Sequence, residues 1–174
     1  MTYFSELKRS MEFLSQDNKT VFIGYNIKNC YRANGTLKEV ADNQIIETPV
    51  AENLMVGLAI GMSLEGFKPV VFIERFDFIL NALDAVVNHL DKLKTMSDGD
   101  FTPKVIIRIV VGKKQFPLFS GCTHHQDFTE QIKIFVNFPV IKLIKKEDIF
   151  NTYMEAYRSP KSHIIVEEND LYSK

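Results

Sequence analysis

The sequence predicts a three-layer α/β domain, a doubly wound and mostly parallel sheet with helices on both faces. Three observations carry this expectation. Short apolar runs alternate with helix-period segments along the whole chain. The run Val105-Ile-Ile-Arg-Ile-Val-Val111 is apolar except at Arg108, as a strand buried on both faces of a parallel sheet requires. From Glu47 to Gly66 a helix-start signal leads into an almost wholly apolar helix, the pattern of a helix covered by protein.

Phe4, Leu7, Met11 and Leu14 recur at three- and four-residue spacing, so residues 3 to 15 form an amphipathic helix. Asp17-Asn18 ends it, and Thr20-Val-Phe-Ile-Gly24 is a short buried strand. Residues 26 to 43 are polar and irregular, with a turn at Asn34-Gly35, and Ile45-Ile46 is a second short strand. Thr48 is placed as the N-cap of the next helix, with Pro49 at its first position, where a missing N–H costs nothing. Leu54 to Leu64 is apolar or small on nearly every face. Gly57 and Gly61 share one side of it. Glycine inside a helix costs about 1 kcal/mol relative to alanine, so two of them imply a close packing partner.

Gly66 stops that helix, and Lys68 to Ile73 is a strand. Phe76 to Met96 reads as one long helix, with Phe76, Ile79, Leu80, Leu83, Val86, Val87 and Leu90 along one side and Ser97-Asp-Gly-Asp100 as its end. A loop from Gly112 to Asp127 carries Gly121-Cys-Thr-His124-His125-Gln126. A short helix (128–136), a strand (139–143), a helix (147–157) and a last strand (163–166) complete the chain. With no internal repeat or linker, residues 1–174 are expected to form one domain, with no second domain after the last strand.

A net charge of −1 gives no bulk attraction to nucleic acid or to a membrane surface. No apolar run reaches the length of a membrane span, and the charged N-terminus is unlike a signal peptide. Two cysteines, Cys30 and Cys122, make no disulfide framework. A cytoplasmic protein is expected, with no nucleic-acid or membrane partner.

Dinucleotide-type glycine fingerprints, Walker loops and nucleophile elbows are absent from the sequence. Ligands of parallel sheets sit outside the carboxyl ends of the strands. There the loops ending at Glu52, following Ile73 and following Val111 are expected to meet. They carry Glu52, the aromatic set Phe72, Phe76 and Phe78, and the pair His124-His125. Each also has an ordinary reading. A first-turn acid is favoured by the helix dipole, worth about 0.3–1 kcal/mol. Phenylalanines belong to cores. A histidine pair in a polar loop is a solvated turn or a proton shuttle. No third ligand stands at metal-site spacing, so no metal site is expected.

The ordered set Thr48-Pro-Val-Ala-Glu52, Gly57-Leu-Ala-Ile-Gly61, Gly66-Phe-Lys-Pro69, Phe76-x-Phe78, Ala82-Leu-Asp84, Asn88 and Lys92 resembles the pyrimidine-binding domain of thiamine-diphosphate enzymes. The similarity is to the beta subunit of 2-oxo-acid dehydrogenases and the corresponding half of transketolases, and runs from about residue 20 to 170. Arg108 and Gly112 continue it, and Gly121-x-Thr-His124-His125 resembles the loop histidines of transketolase-like proteins.

The resemblance implies that Glu52 contacts the aminopyrimidine of thiamine diphosphate. As a carboxylic acid in an apolar cleft it would donate to a ring nitrogen, and so help the exocyclic nitrogen take the thiazolium proton. Desolvation favours the neutral form of a carboxyl, the form this role needs. Phe78 matches the aromatic residue that stacks on the pyrimidine, with Phe76 beside it. His124 matches a loop histidine that contacts substrate or handles protons, with His125 as its neighbour. The reaction class implied is 2-oxo-acid decarboxylation or two-carbon ketol or acyl transfer.

Three departures stand out. The loop from Gly112 to His124 is long, hydrophobic and basic, and His125 replaces the serine of the dehydrogenase pattern. The family's Gly-Asp-Gly signature for diphosphate and magnesium is missing, since Ser97-Asp-Gly-Asp100 follows a helix and not a strand. The expectation is therefore one half of a split enzyme, inactive alone. A separate subunit would supply the diphosphate and magnesium site, and a homodimer core would give a heterotetramer. The alternatives are a non-catalytic interaction module with the same fold, and an unrelated nucleotide-binding α/β domain.

Overall fold

In the computed structural model the described residues are 1–29, 31–114 and 121–173. Cys30 and the stretch 115–120 of the long loop lie outside them. The elements are α1 (Tyr3–Ser15), β1 (Thr20–Gly24), β2 (Ile45–Glu47), α2 (Glu52–Leu64), β3 (Lys68–Ile73), α3 (Leu93–Met96), β4 (Ile106–Val111), α4 (Thr129–Phe135), β5 (Val140–Lys142), α5 (Lys146–Arg158) and β6 (His163–Glu168). Six strands form one sheet in the order β2-β1-β3-β4-β6-β5, every pair parallel. The three-layer α/β expectation holds, and the sheet is parallel throughout.

Period-two alternation sorts the strand residues between two cores. Val21, Ile23, Val71, Ile73, Ile107 and Ile109 face α2, α4 and the segment from Phe76 to Leu90. Phe22, Val70, Phe72, Ile106 and Val110 face α1, α5 and the residues before β2. The chain turns back between β1 and β3, so the crevice outside their carboxyl ends is the topological switch point where α/β sheets take ligands. Gly24 and Ile73 end those two strands.

Two local expectations are corrected. Thr48 does not cap α2. Its N–H donates to the Gly24 carbonyl at 2.8 Å, continuing the pairing of β2 with β1, and its hydroxyl is buried without a partner among the described residues. The helix starts at Glu52 with Ala51 as an N-cap that offers no side-chain bond. Nor is Phe76 to Met96 one α-helix. Residues Phe76–Ala82 are a 3-10 helix, Asp84–Leu90 a π-helix and only Leu93–Met96 is α. The reason lies in the buried set: Phe76, Ile79, Ala82 and Ala85 are spaced by three, the repeat of a 3-10 helix, while Leu80 points to solvent. At the junction the Ala85 N–H leaves the helical ladder for the Asn53 side-chain oxygen at 3.3 Å.

The Gly66 stop is as expected. Gly66 takes φ +84°, its N–H bonds to Ser63, and the Phe67 N–H bonds to Met62, the paired bonds of a Schellman ending. The expectation that α2 is buried all round is corrected within this chain: Leu54, Gly57, Gly61 and Leu64 form an exposed stripe. No helix among the described residues is long and apolar enough to cross a membrane.

Candidate functional site

Because all strands run the same way, the residues after β1, β3 and β4 and the start of α2 share the carboxyl edge of the sheet. Glu52 opens α2 and is 4 % exposed. A carboxylate so buried needs a partner. It accepts a 3.2 Å hydrogen bond from the Asn81 amide, which belongs to the segment after β3. Phe78 sits on that same segment, partly buried. Its ring meets the His124 imidazole edge to face, centroids 5.3 Å apart and planes at 84°.

The loop bearing His124 is held from two sides. Asp77, itself buried, accepts from both the backbone and the side chain of Gln126, at 3.2 and 2.7 Å. At the end of β4, Gly112 lies directly under the loop: a Cβ there would stand 1.9 Å from the His124 carbonyl oxygen. Glycine alone fits that approach. The Thr123 hydroxyl reaches His124 Nδ1 at 3.1 Å. Downstream, Asp127 pairs with Lys142 at 2.6 Å and accepts from Thr129, fixing the entry to α4. Burial pushes the Asp127 carboxyl up, but the Lys142 and Thr129 bonds hold it below the usual range.

A second carboxylate orders the loop after β1. Glu47 accepts the N–H groups of Asn26, Ile27 and Lys28 at 2.7, 3.0 and 2.7 Å, which lets Asn26 take a left-handed conformation with φ +60°.

The residues expected from the sequence thus fall into two groups. Glu52, through Asn81, joins the segment that carries Phe78, and Phe78 touches His124. Phe76 stands apart: it is wholly buried, edge-on to Phe128 at 5.9 Å, and serves as a core ring. His125 is partly buried and its side chain makes no hydrogen bond among the described residues. Asn81, Asp77 and Gln126 escaped the sequence reading. The sequence offered one faint signal for Asp77 and Asn81, polar residues inside a run read as an apolar helix face, and none for Gln126. Cys122 is a free, exposed thiol. Among the described residues no group of three His, Cys, Asp or Glu is placed to hold a metal.

This arrangement fits the pyrimidine end of thiamine diphosphate. Its features are a buried carboxyl at a helix mouth, a partly buried aromatic ring on the neighbouring segment, and the partnerless Thr48 hydroxyl four residues before Glu52.

No family model matches the chain. It is 28% identical over 179 aligned positions to the mitochondrial pyruvate dehydrogenase E1 component subunit beta of Saccharomyces cerevisiae, covering 100% of this chain and 48% of that protein. It is 29% identical to the pyruvate dehydrogenase E1 component subunit beta of Bacillus subtilis, over 90% of this chain and 53% of that protein. A shorter match, 37% identical over 51% of this chain and 24% of the relative, is to the 3-methyl-2-oxobutanoate dehydrogenase subunit beta of Mycobacterium tuberculosis. The chain spans about half the length of the first two relatives. Among solved structures, a split gene transketolase described as an inactive beta4 tetramer aligns with TM-score 0.74 at 13% identity, over 97% of this chain and 51% of that one. The chain is therefore similar in sequence to pyruvate dehydrogenase E1 beta subunits, and it shares the fold of a split gene transketolase.

Proposed function

We propose that residues 1–174 form the pyrimidine-binding half of a split thiamine-diphosphate enzyme. It would catalyse 2-oxo-acid decarboxylation or two-carbon transfer in the cytoplasm, once joined to a diphosphate-binding subunit. One observation carries the reading: Glu52 is buried at the mouth of α2 and hydrogen-bonded to Asn81 on the segment that presents Phe78. When bound beside Glu52 and Phe78, the cofactor would supply nucleophilic and electron-sink chemistry.

The chain's own residues have positioning and proton-handling roles. Glu52 would hold a proton at a carboxyl oxygen, facing the pyrimidine ring nitrogen. Asn81 would orient that carboxyl through its amide. Phe78 would stack on the ring, and His124, set against Phe78, would contact substrate or relay a proton at Nε2. Its Nδ1 faces the Thr123 hydroxyl. His125 would extend the substrate-facing edge. Magnesium and the diphosphate would be held mainly by the partner, because this sequence lacks the Gly-Asp-Gly signature.

The exposed stripe of α2 supports a homodimer core, hence a heterotetramer. A Cβ built on Gly57 or Gly61 meets nothing within 4 Å, so no neighbour among the described residues accounts for either glycine. A second subunit would.

The test is calorimetric titration of thiamine diphosphate with magnesium into the chain alone and into its mixture with a Gly-Asp-Gly-containing subunit. Binding by the mixture alone is expected. Absence of binding by the pair would favour a non-catalytic interaction module.

A further inference from the structure

On the opposite side of the sheet from Glu52, a cleft of about 560 Å³ opens outside the carboxyl ends of β4 and β6. Its size lies within the ordinary range of small-molecule sites. Three aromatic rings line it: Phe4, Tyr31 and Tyr172. Phe4 and Tyr172 stand 6.1 Å apart at 55°, and Tyr31 is 61% exposed. Tyr172 is anchored by its hydroxyl on Glu167, so its ring has a fixed position.

Two cations, Lys38 and Lys113, share the lining. Neither is paired with a carboxylate among the described residues. The nearby Asp170 carboxylate accepts instead from the Lys114 backbone at 3.4 Å. The Asn34 side chain lines the cleft as well, and its Nδ2 is buried with no acceptor among the described residues. A buried donor left unmatched is costly, and such groups call for a specific explanation.

The backbone here is also unusual. Arg32, Ala33, Asn34 and Gly35 are four successive left-handed residues, with φ of 45°, 49°, 58° and 89°. Arg32 and Ala33 carry side chains that disfavour this region, which asparagine and glycine enter readily. They are held by the burial of Ala33 and Leu37 and by the Thr36 hydroxyl, which accepts from Arg108 at 2.9 Å. Strain maintained in this way is typical of ligand clamps.

We infer that this cleft is a second ligand site, separate from the Glu52 site, for a planar aromatic ring joined to an anionic group, as in a mononucleotide. The rings stack on the base, and Lys38 and Lys113 meet the phosphate.

The test is a two-dimensional amide NMR titration of the full chain with AMP, and in parallel with adenosine (ring without charge) and ribose 5-phosphate (charge without ring). AMP is expected to give saturable shifts at the Asn34 side-chain amide and at the Tyr31 and Gly35 backbone. Either fragment should bind at least about tenfold more weakly. Tyr31→Ala, at an exposed ring, should keep the spectrum of a folded protein while weakening AMP about tenfold or more. Non-saturable shifts, shifts centred on Glu52, or adenosine binding as well as AMP would each overturn the assignment. These outcomes are independent of thiamine diphosphate binding, so the two readings fail separately.

Discussion

Arg108 of β4 and Glu167 of β6 form a two-point ion pair at zero exposure, Nε to Oε1 and Nη2 to Oε2, both at 2.9 Å. The two residues sit on adjacent strands, and the pair ties together much of the α1/α5 face. Nη1 donates to Thr36, which anchors the left-handed turn before β2. Tyr153 of α5 and Tyr172 donate to Glu167. Burial and the Glu167 charge push both phenols well above their ordinary range, so they remain donors. Every oxygen and nitrogen of the pair that could be stranded has a partner.

Removing one member leaves the other charge buried and alone. Arg108→Met should therefore cost about 3–5 kcal/mol, read from urea unfolding. Replacing both together, Arg108→Met with Glu167→Leu, should cost clearly less than the sum of the single changes. A loss under 1 kcal/mol for the single variant would show that the pair does not hold this face together.

Gly112→Ala should displace the loop that carries His124, because the new methyl would lie 1.9 Å from the His124 carbonyl. A stability loss of about 1–3 kcal/mol is expected, together with altered NMR shifts for His124 and Phe78. A crystal structure of the variant with the His124–Phe78 contact intact would contradict this.

Acid stability should fall in two windows. His163 is held below its ordinary value first by burial, with Lys104 adding to the effect and the Lys161 carbonyl opposing it. Its folded form stays neutral while the unfolded chain takes up a proton, so stability drops as pH falls below about 6.5. The Asp17 carboxyl is depressed first by the Lys68 bond and then by Tyr157. Asp127 and Asp91 are also depressed, against the upward pull of burial. Their contribution is fully present above about pH 4 and is lost as pH falls below that. Urea midpoints measured from pH 8 to pH 3 should show both steps, and His163→Phe should remove the first alone.

Leu54→Glu places a charge on the exposed stripe of α2. Monomer stability should change by less than about 0.5 kcal/mol, since Leu54 is 51% exposed. Sedimentation should show the wild-type chain as a dimer and this variant as a monomer. An unchanged dimer would move the interface elsewhere.

What the sequence made legible was whatever depends on neighbours in the chain. The alternation of apolar runs and helix-period segments located the strands and most helix ends, and Gly66 marked its Schellman turn. The segment after β3 defeated the reading, because 76, 79, 80 and 83 satisfy a helical stripe while the burial actually follows every third residue. The roles given to Glu52, Phe78 and His124 come from ordered resemblance, and the structure places the three on the same edge of the sheet. Asn81 was not, since its tie to Glu52 spans 29 positions and a lone Asn has no periodic signal. Glu167 was hidden for the same reason: Arg108 announced a buried charge, but nothing local named its partner 59 positions away. Thr48 was misplaced because its cap-like sequence competes with strand pairing to Gly24, and the pairing wins.

The most direct measurement of the central claim is turnover of the chain joined to its diphosphate-binding subunit, wild type against Glu52→Gln, with assembly followed by sedimentation. The side chains are nearly isosteric, so the complex should form equally well. Glu52→Gln is expected to lose most of the turnover, about a hundredfold or more, as removal of a positioned acid–base group does. A Glu52→Gln complex that assembles and turns over like wild type would contradict the role given to Glu52.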